Sequence, residues 1–164
     1  MDVDVLFVMG VCGSGKRTVG AEIARRLGWA YKDGDDFHSE ENVAKMSAGI
    51  PLNDEDRQPW LRAMNEYCRS HPQTVLGCSA LKKQYREVLR TRIRCGFVFL
   101  NVSRQELIRR LNERKGHYMP SSLLDSQLTT LEPPNGEKNV LTIDVHQETP
   151  DDVIEIIMKR LNEV

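Results

Sequence analysis

The chain has 164 residues, a length that suits one domain over residues 1–164 with a sizeable core rather than two small domains. Its 23 Lys and Arg against 24 Asp and Glu leave a formal net charge of -1, so no global basic field argues for nucleic acid or a membrane surface as partner. No apolar run approaches the roughly 18 residues needed to cross a bilayer, the opening MDVDVLFVMG has no basic start, and Cys12, Cys68, Cys78 and Cys95 form no C-x-x-C pair; a soluble, cytoplasmic protein with reduced thiols is expected.

Short apolar runs alternate with amphipathic stretches, the pattern of an α/β chain whose parallel sheet is sandwiched by helices. The first strand is expected at Val3–Met9. In the helix that follows, Val19, Ile23 and Leu27 recur at i+4 spacing, Arg25 and Arg26 take the other face, and Gly28 stops it. A short strand, Trp29–Lys32, comes next, and then Trp60, Met64 and Tyr67 recur at helical spacing, which reads as core or subunit interface. A third strand at Thr74–Cys78 leads to a helix begun at Ser79, and a fourth strand spans Phe97–Val102. Ser103-Arg-Gln-Glu106 has the form of a capping box, opening a helix with Leu107 and Leu111 inward. Pro133-Pro134-Asn135-Gly136 reads as a surface turn before a fifth strand, Val140–Asp144. Thr149-Pro150-Asp151-Asp152 supplies a cap, a proline at the first helical position and first-turn acids for a last helix that runs through Val153, Ile156, Ile157 and Leu161.

Between the first strand and the first helix stands GVCGSGKRT, Gly10–Thr18. A phosphate-binding loop needs this context: glycines let backbone N–H groups curl around phosphate oxygens, the helix N-terminus adds its dipole, and a lysine reaches the outer phosphates. Gly13, Ser14, Gly15, Lys16 and Thr18 are the nucleotide-binding candidates. A glycine turn needed only for packing leaves Lys16 unexplained, and a dinucleotide fingerprint fails at Thr18, where a third glycine should stand. The pattern also asks for a hydroxyl directly after the lysine, to reach magnesium, and here that position is Arg17. Water can replace one ligand, because magnesium keeps several waters and takes only one or two carboxylates from protein. Two carboxylates lie close in sequence: YKDGDDF, at the end of the second strand, offers Asp33 and Asp35 on one side of an extended segment. Such a pair allows one acid to serve a metal and the other an acceptor hydroxyl, although D-G-D is also ordinary turn material.

The segments MGVCGSGKRTVG, DGDDFHSEENVAKMSAGIPLNDEDRQPWL, CSALKKQYR, ERKGHYMP and LLDSQLTTLEPP together resemble the gluconokinases, P-loop small-molecule kinases related in fold to shikimate and adenylate kinases, and the likeness covers nearly the whole chain. It implies a three-layer P-loop NTPase fold, a five-stranded parallel sheet flanked by helices, with a lid at about residues 109–120. It implies ATP-dependent phosphorylation of the 6-hydroxyl of D-gluconate, with Mg2+, in a protein whose relatives are often homodimers. The family loop usually reads G-K-S, so Arg17 is this chain's departure, bearing on metal and rate rather than on fold. Carried across, Lys16 holds the phosphates, Asp35 faces the acceptor hydroxyl, and Asp33 assists the metal, in part through water. Gluconate brings a carboxylate and hydroxyls, for which Arg57, Ser79, Lys82 and His38 are the candidates. Arg57 could instead pair within its own D-E-D-R run, and His38 could simply pack. In the basic segment RRLNERKGHYMP, Arg114 and Lys115 are candidates for contact with the transferring phosphoryl group and Arg110 for contact near the base; a solvated basic helix end is the plainer reading. Two other functions stay open: a kinase for another polyol acid or a nucleotide, and a nucleotide-binding module whose catalysis Arg17 has impaired.

Overall fold

The computed structural model describes residues 1–113 and 121–163. Five strands, β1 (Val5–Met9), β2 (Ala30–Asp33), β3 (Thr74–Gly77), β4 (Cys95–Val102) and β5 (Val140–Val145), form one sheet in the order β2-β3-β1-β4-β5, every pair parallel. All five residues of β1 are buried, as a central parallel strand covered on both faces requires. Leu6 and Val8 face one layer, with Val19 and Ile23 of α1 (Lys16–Leu27) and Val153 and Ile157 of α7 (Pro150–Glu163). Val5, Phe7 and Met9 face the other, with Leu61 and Met64 of α3 (Asp54–Ser70) and Tyr85 and Leu89 of α4 (Lys83–Arg90). Three short helices complete the described residues: α2 (Glu40–Ser47), α5 (Arg104–Glu113) and α6 (Ser121–Thr130).

Each expected strand is present, with ends shifted by one or two residues. The shift that matters is at β2, which runs one residue further than the Trp29–Lys32 expectation, so that Asp33 is its last residue, in register with Gly77. Asp35 is therefore not on an extended segment; it lies in a 3-10 turn, Gly34–Phe37, and reaches Asp33 through its own N–H. The helix expected from Ser79 starts at Lys83, because Ala80 sits in the left-handed region (φ 47°), where no right-handed helix continues. Ser103 caps α5 through its hydroxyl, which accepts from the Glu106 N–H at 3.2 Å, but the box is half made. The Ser103 N–H is already spent on the Val145 carbonyl, and Glu106 turns to Arg109 and Arg110 instead. At α7 both halves form: Thr149 Oγ1 accepts from the Asp152 N–H, and Asp152 accepts from the Thr149 N–H. Trp60 and Met64 are core residues, the indole N–H donating to the Gly34 carbonyl at 2.8 Å.

From β1 the chain passes over the sheet by α1 to reach β2, while from β3 it crosses the opposite face by α4 to reach β4. The loops leaving the carboxyl ends of β1 and β3 diverge at this switch point, and an open α/β sheet places its ligand crevice there.

Candidate active site

Gly13 and Gly15 have φ of 83° and 93°, a backbone that a β-carbon disfavours, and they curl the loop after β1 into the N-terminus of α1. Lys16, the first residue of that helix, folds its ammonium back onto the Gly10 and Val11 carbonyls at 2.9 and 3.1 Å. Burial pulls the lysine below its ordinary pKa, with Asp33 and Asp35 opposing that pull. Ser14 is buried, and its hydroxyl oxygen has no hydrogen-bond partner among the described residues. A buried orphan of this kind inside a loop of N–H groups is what a cradle for an anion provides.

The loop forms one wall of a cleft of about 500 Å³, with Asp33, Asp35, Ser79 and Gln127 on the others. Asp33 is held on both oxygens: Arg17 donates to Oδ2 from Nη2 at 2.5 Å and from Nε at 3.1 Å, and the Asp35 N–H donates to Oδ1 at 2.9 Å. Burial alone would raise the Asp33 pKa, but these hydrogen bonds outweigh it and leave the carboxyl below its ordinary range. Arg17 therefore lies along the cleft wall with its guanidinium on Asp33. Cys78, at the floor, has its thiol pushed up to about 12 by burial, which leaves it a packing residue and not a nucleophile.

Behind the loop a second cavity of about 290 Å³ is lined by Gly13, Thr18, Arg110, Val145 and Pro150. Arg110 spans its edge, donating to the Gly13 carbonyl at 3.2 Å and to Glu106 at 3.2 Å. This is an apolar slot beside a phosphate loop, with a guanidinium at its rim, and it suits a nucleoside.

Arg57 and Lys82 do not line the main cleft. They meet around Tyr85, a residue that sequence reasoning passed over. The Tyr85 hydroxyl receives a hydrogen bond from Arg57 Nη1 at 3.3 Å and donates to Asp54 at 2.5 Å, and Lys82 Nζ donates to the same carboxylate at 3.1 Å. Arg57 thus does not pair within its own acidic run, whose Asp56 is taken by Lys45 and the Asn53 N–H. Lys82 turns onto Asp54 while its neighbour Lys83 is exposed. His38 stacks on Trp60 with ring centroids 4.3 Å apart; burial lowers its pKa, and it feels both Asp35 and Arg57. Arg114 and Lys115, with most of the basic segment expected to form a lid, lie outside the described residues.

Two further residues carry structural weight here. Gln127 Oε1 accepts the Cys12 N–H at 2.7 Å, tying α6 to the loop. Arg86, fully buried, donates to the Ala80 and Glu132 carbonyls, each at 2.7 Å, and to both oxygens of Glu137. It thereby holds the left-handed turn that carries Ser79 and Lys82. No sequence pattern announces Gln127; Arg86 could have been suspected only as one apolar-face position of α4 filled by a charge.

The Shikimate kinase family model matches residues 12–162. A gluconokinase of Gluconobacter oxydans is 45% identical over 159 residues, covering 94% of this chain and 89% of its own, and a probable gluconokinase of Xenopus tropicalis is 44% identical, covering 88% and 86%. The chain belongs to the gluconokinase family. Among solved structures, a gluconokinase from Sinorhizobium meliloti superposes with a TM-score of 0.86 at 43% identity, covering 97% of this chain and 93% of that one. Gluconokinases are phosphotransferases with an alcohol acceptor, and membership brings with it the use of ATP. Among the described residues, no helix is long and apolar enough to cross a membrane.

Proposed function

We propose that this chain transfers the γ-phosphoryl group of ATP to the 6-hydroxyl of D-gluconate, giving 6-phospho-D-gluconate and ADP. The observation that carries the reading is the cleft at the β1/β3 switch point, where Lys16 and Asp35 share one cavity in a chain of this family. The new bond joins O6 to the γ-phosphorus, the bond from that phosphorus to the β,γ-bridging oxygen breaks, and the O6 proton leaves to Asp35 or through it to water. Asp35 orients the hydroxyl more than it deprotonates it, because phosphoryl transfer through a loose transition state asks chiefly for position and charge. Lys16 moves from the Gly10 and Val11 carbonyls to the phosphates, and Gly13, Ser14, Gly15 and Thr18 surround them. Arg110 borders the nucleoside slot. Arg57 and Lys82 receive the gluconate carboxylate, with Ser79 and His38 bordering its hydroxyls.

Magnesium suits this donor set, since a hard cation that keeps most of its waters needs only one or two carboxylates, and Asp33 and Asp35 both border the cleft. Bound there, it would neutralise charge on the transferring phosphoryl group. The proposal extends to residues 1–164 acting as one kinase domain, a homodimer, and a cytoplasmic setting, to which four free cysteines are suited.

The test is a coupled assay of ADP formation with ATP, magnesium and D-gluconate, run beside other sugar acids, shikimate and AMP. Turnover that depends on gluconate supports the reading. Turnover with another acceptor in preference to gluconate overturns the substrate, and ATP binding with no acceptor phosphorylated overturns the catalytic role.

A further inference from the structure

We propose that Arg17 is a tethered cation occupying, at Asp33, a role that the P-loop pattern gives to a magnesium ion, so that this chain binds nucleotide with little help from the metal. The proposal deepens the kinase reading above and rests on it. Arg17 follows Lys16 in the first turn of α1, where the pattern places a metal-binding hydroxyl. From that position the side chain crosses to the end of β2 and sets Nη2 and Nε on one oxygen of Asp33, at 2.5 and 3.1 Å. The other oxygen is fixed by the Asp35 N–H. This cleft carboxylate is therefore engaged on both oxygens before any ligand arrives, and a cation is already paired with it.

A guanidinium has five N–H donors in a planar fork, and the fork matches phosphate oxygens as well as carboxylates. With Nε and one Nη on Asp33, Arg17 retains donors for a phosphate in the cleft that it lines. It can thus do two things a metal does here, neutralise Asp33 and bridge it to the nucleotide, without being recruited from solution. Among the described residues no group of three His, Cys, Asp or Glu side chains could hold a metal by itself, so an ion here must lean on the phosphates, on water and on Asp33 or Asp35. Asp33 is the acid for which it must compete with Arg17. The competition is not exclusion: the Arg17 side chain is 77% exposed, and an exposed pair yields to a stronger ligand.

The test is calorimetric binding of the β,γ-imido analogue of ATP, with excess magnesium and with EDTA, to the wild-type chain, to Arg17→Ser and to Arg17→Ser with Asp33→Asn. The quantity read is the ratio of the two dissociation constants. In the wild type the ratio stays within about threefold; in Arg17→Ser magnesium improves binding by a further factor of about ten, the scale of one charge-assisted ligand. In the double variant that gain disappears, because Asp33 is its source. An equal ratio in wild type and Arg17→Ser, with binding intact, overturns the Arg17 assignment alone, as does a gain that survives Asp33→Asn. Failure of the wild type to bind the analogue in either condition overturns the kinase reading with it.

Discussion

Replacing Arg86 with Met probes how the acceptor side of the cleft is held. The side chain is fully buried, and Met fills much of its volume with no donor. Four hydrogen bonds disappear: two at 2.7 Å to the Ala80 and Glu132 carbonyls, and two at 3.0 and 2.8 Å to Glu137. Arg90 still reaches Glu137 at 2.8 Å, so that carboxylate keeps one cation, but the two carbonyls lose a charged donor. Breaking a buried ion pair on one side costs about 3–5 kcal/mol, and the remaining partner places this case at the lower end, about 3 kcal/mol. For a chain of this size that lowers Tm by roughly 6–12 °C. Urea unfolding and a thermal scan measure the stability. The acceptor side adds a signature that general destabilisation lacks: with the Ala80 turn released, KM for gluconate rises while KM for ATP stays within about twofold. Arg86→Lys, which supplies a charge without the fork, recovers only part of either effect. A loss under about 1 kcal/mol, the level of an ordinary exposed substitution, or a parallel rise in both KM values would refute the reasoning.

Other consequences are as direct. Asp35→Asn lowers kcat by about 10²–10⁴-fold, the usual share of a positioned acid or base, while calorimetry finds ATP binding unchanged. Tyr85→Phe removes the hydroxyl that links Arg57 to Asp54, and steady-state kinetics show KM for gluconate raised by about 3–10-fold, the net worth of about one hydrogen bond, with kcat little altered. Glu137 gives the pH dependence. Burial raises its pKa, but Arg86 and Arg90 more than reverse that, so the folded value lies below the unfolded one. Its stabilisation is complete above the ordinary glutamate range and is lost as pH falls through the depressed folded value. Urea midpoints measured across that acid range fall more steeply for the wild type than for Glu137→Gln, whose neutral amide has no such step.

Much of the fold is legible in the linear chain because its signals are local. Strand β1 is a continuous apolar run, as burial on both faces demands, and Gly28 ends α1 by adopting a φ of 71° that other residues resist. The glycines and the lysine of Gly10–Lys16 likewise have meaning in sequence, since the loop is one contiguous segment whose conformation the glycines dictate. The acids after β2 stand out for the same reason.

What tertiary structure alone decided is which distant groups meet. Arg17 finds Asp33 across 16 positions, Lys82 and Tyr85 find Asp54 across about thirty, and Gln127 reaches Cys12 across 115. Those distances are set by the strand order β2-β3-β1-β4-β5, which brings the loops after β1, β2 and β3 to one edge, and no local pattern encodes it. Arg86 shows the limit most plainly. By composition it is one more surface cation on a short helix; only the backbone of a left-handed turn and of a segment some fifty residues away, folded over it, make burying its charge tolerable. Backbone preferences and apolar periodicity act over a few residues and can be read directly, whereas pairing between charges depends on where the packed layers carry them.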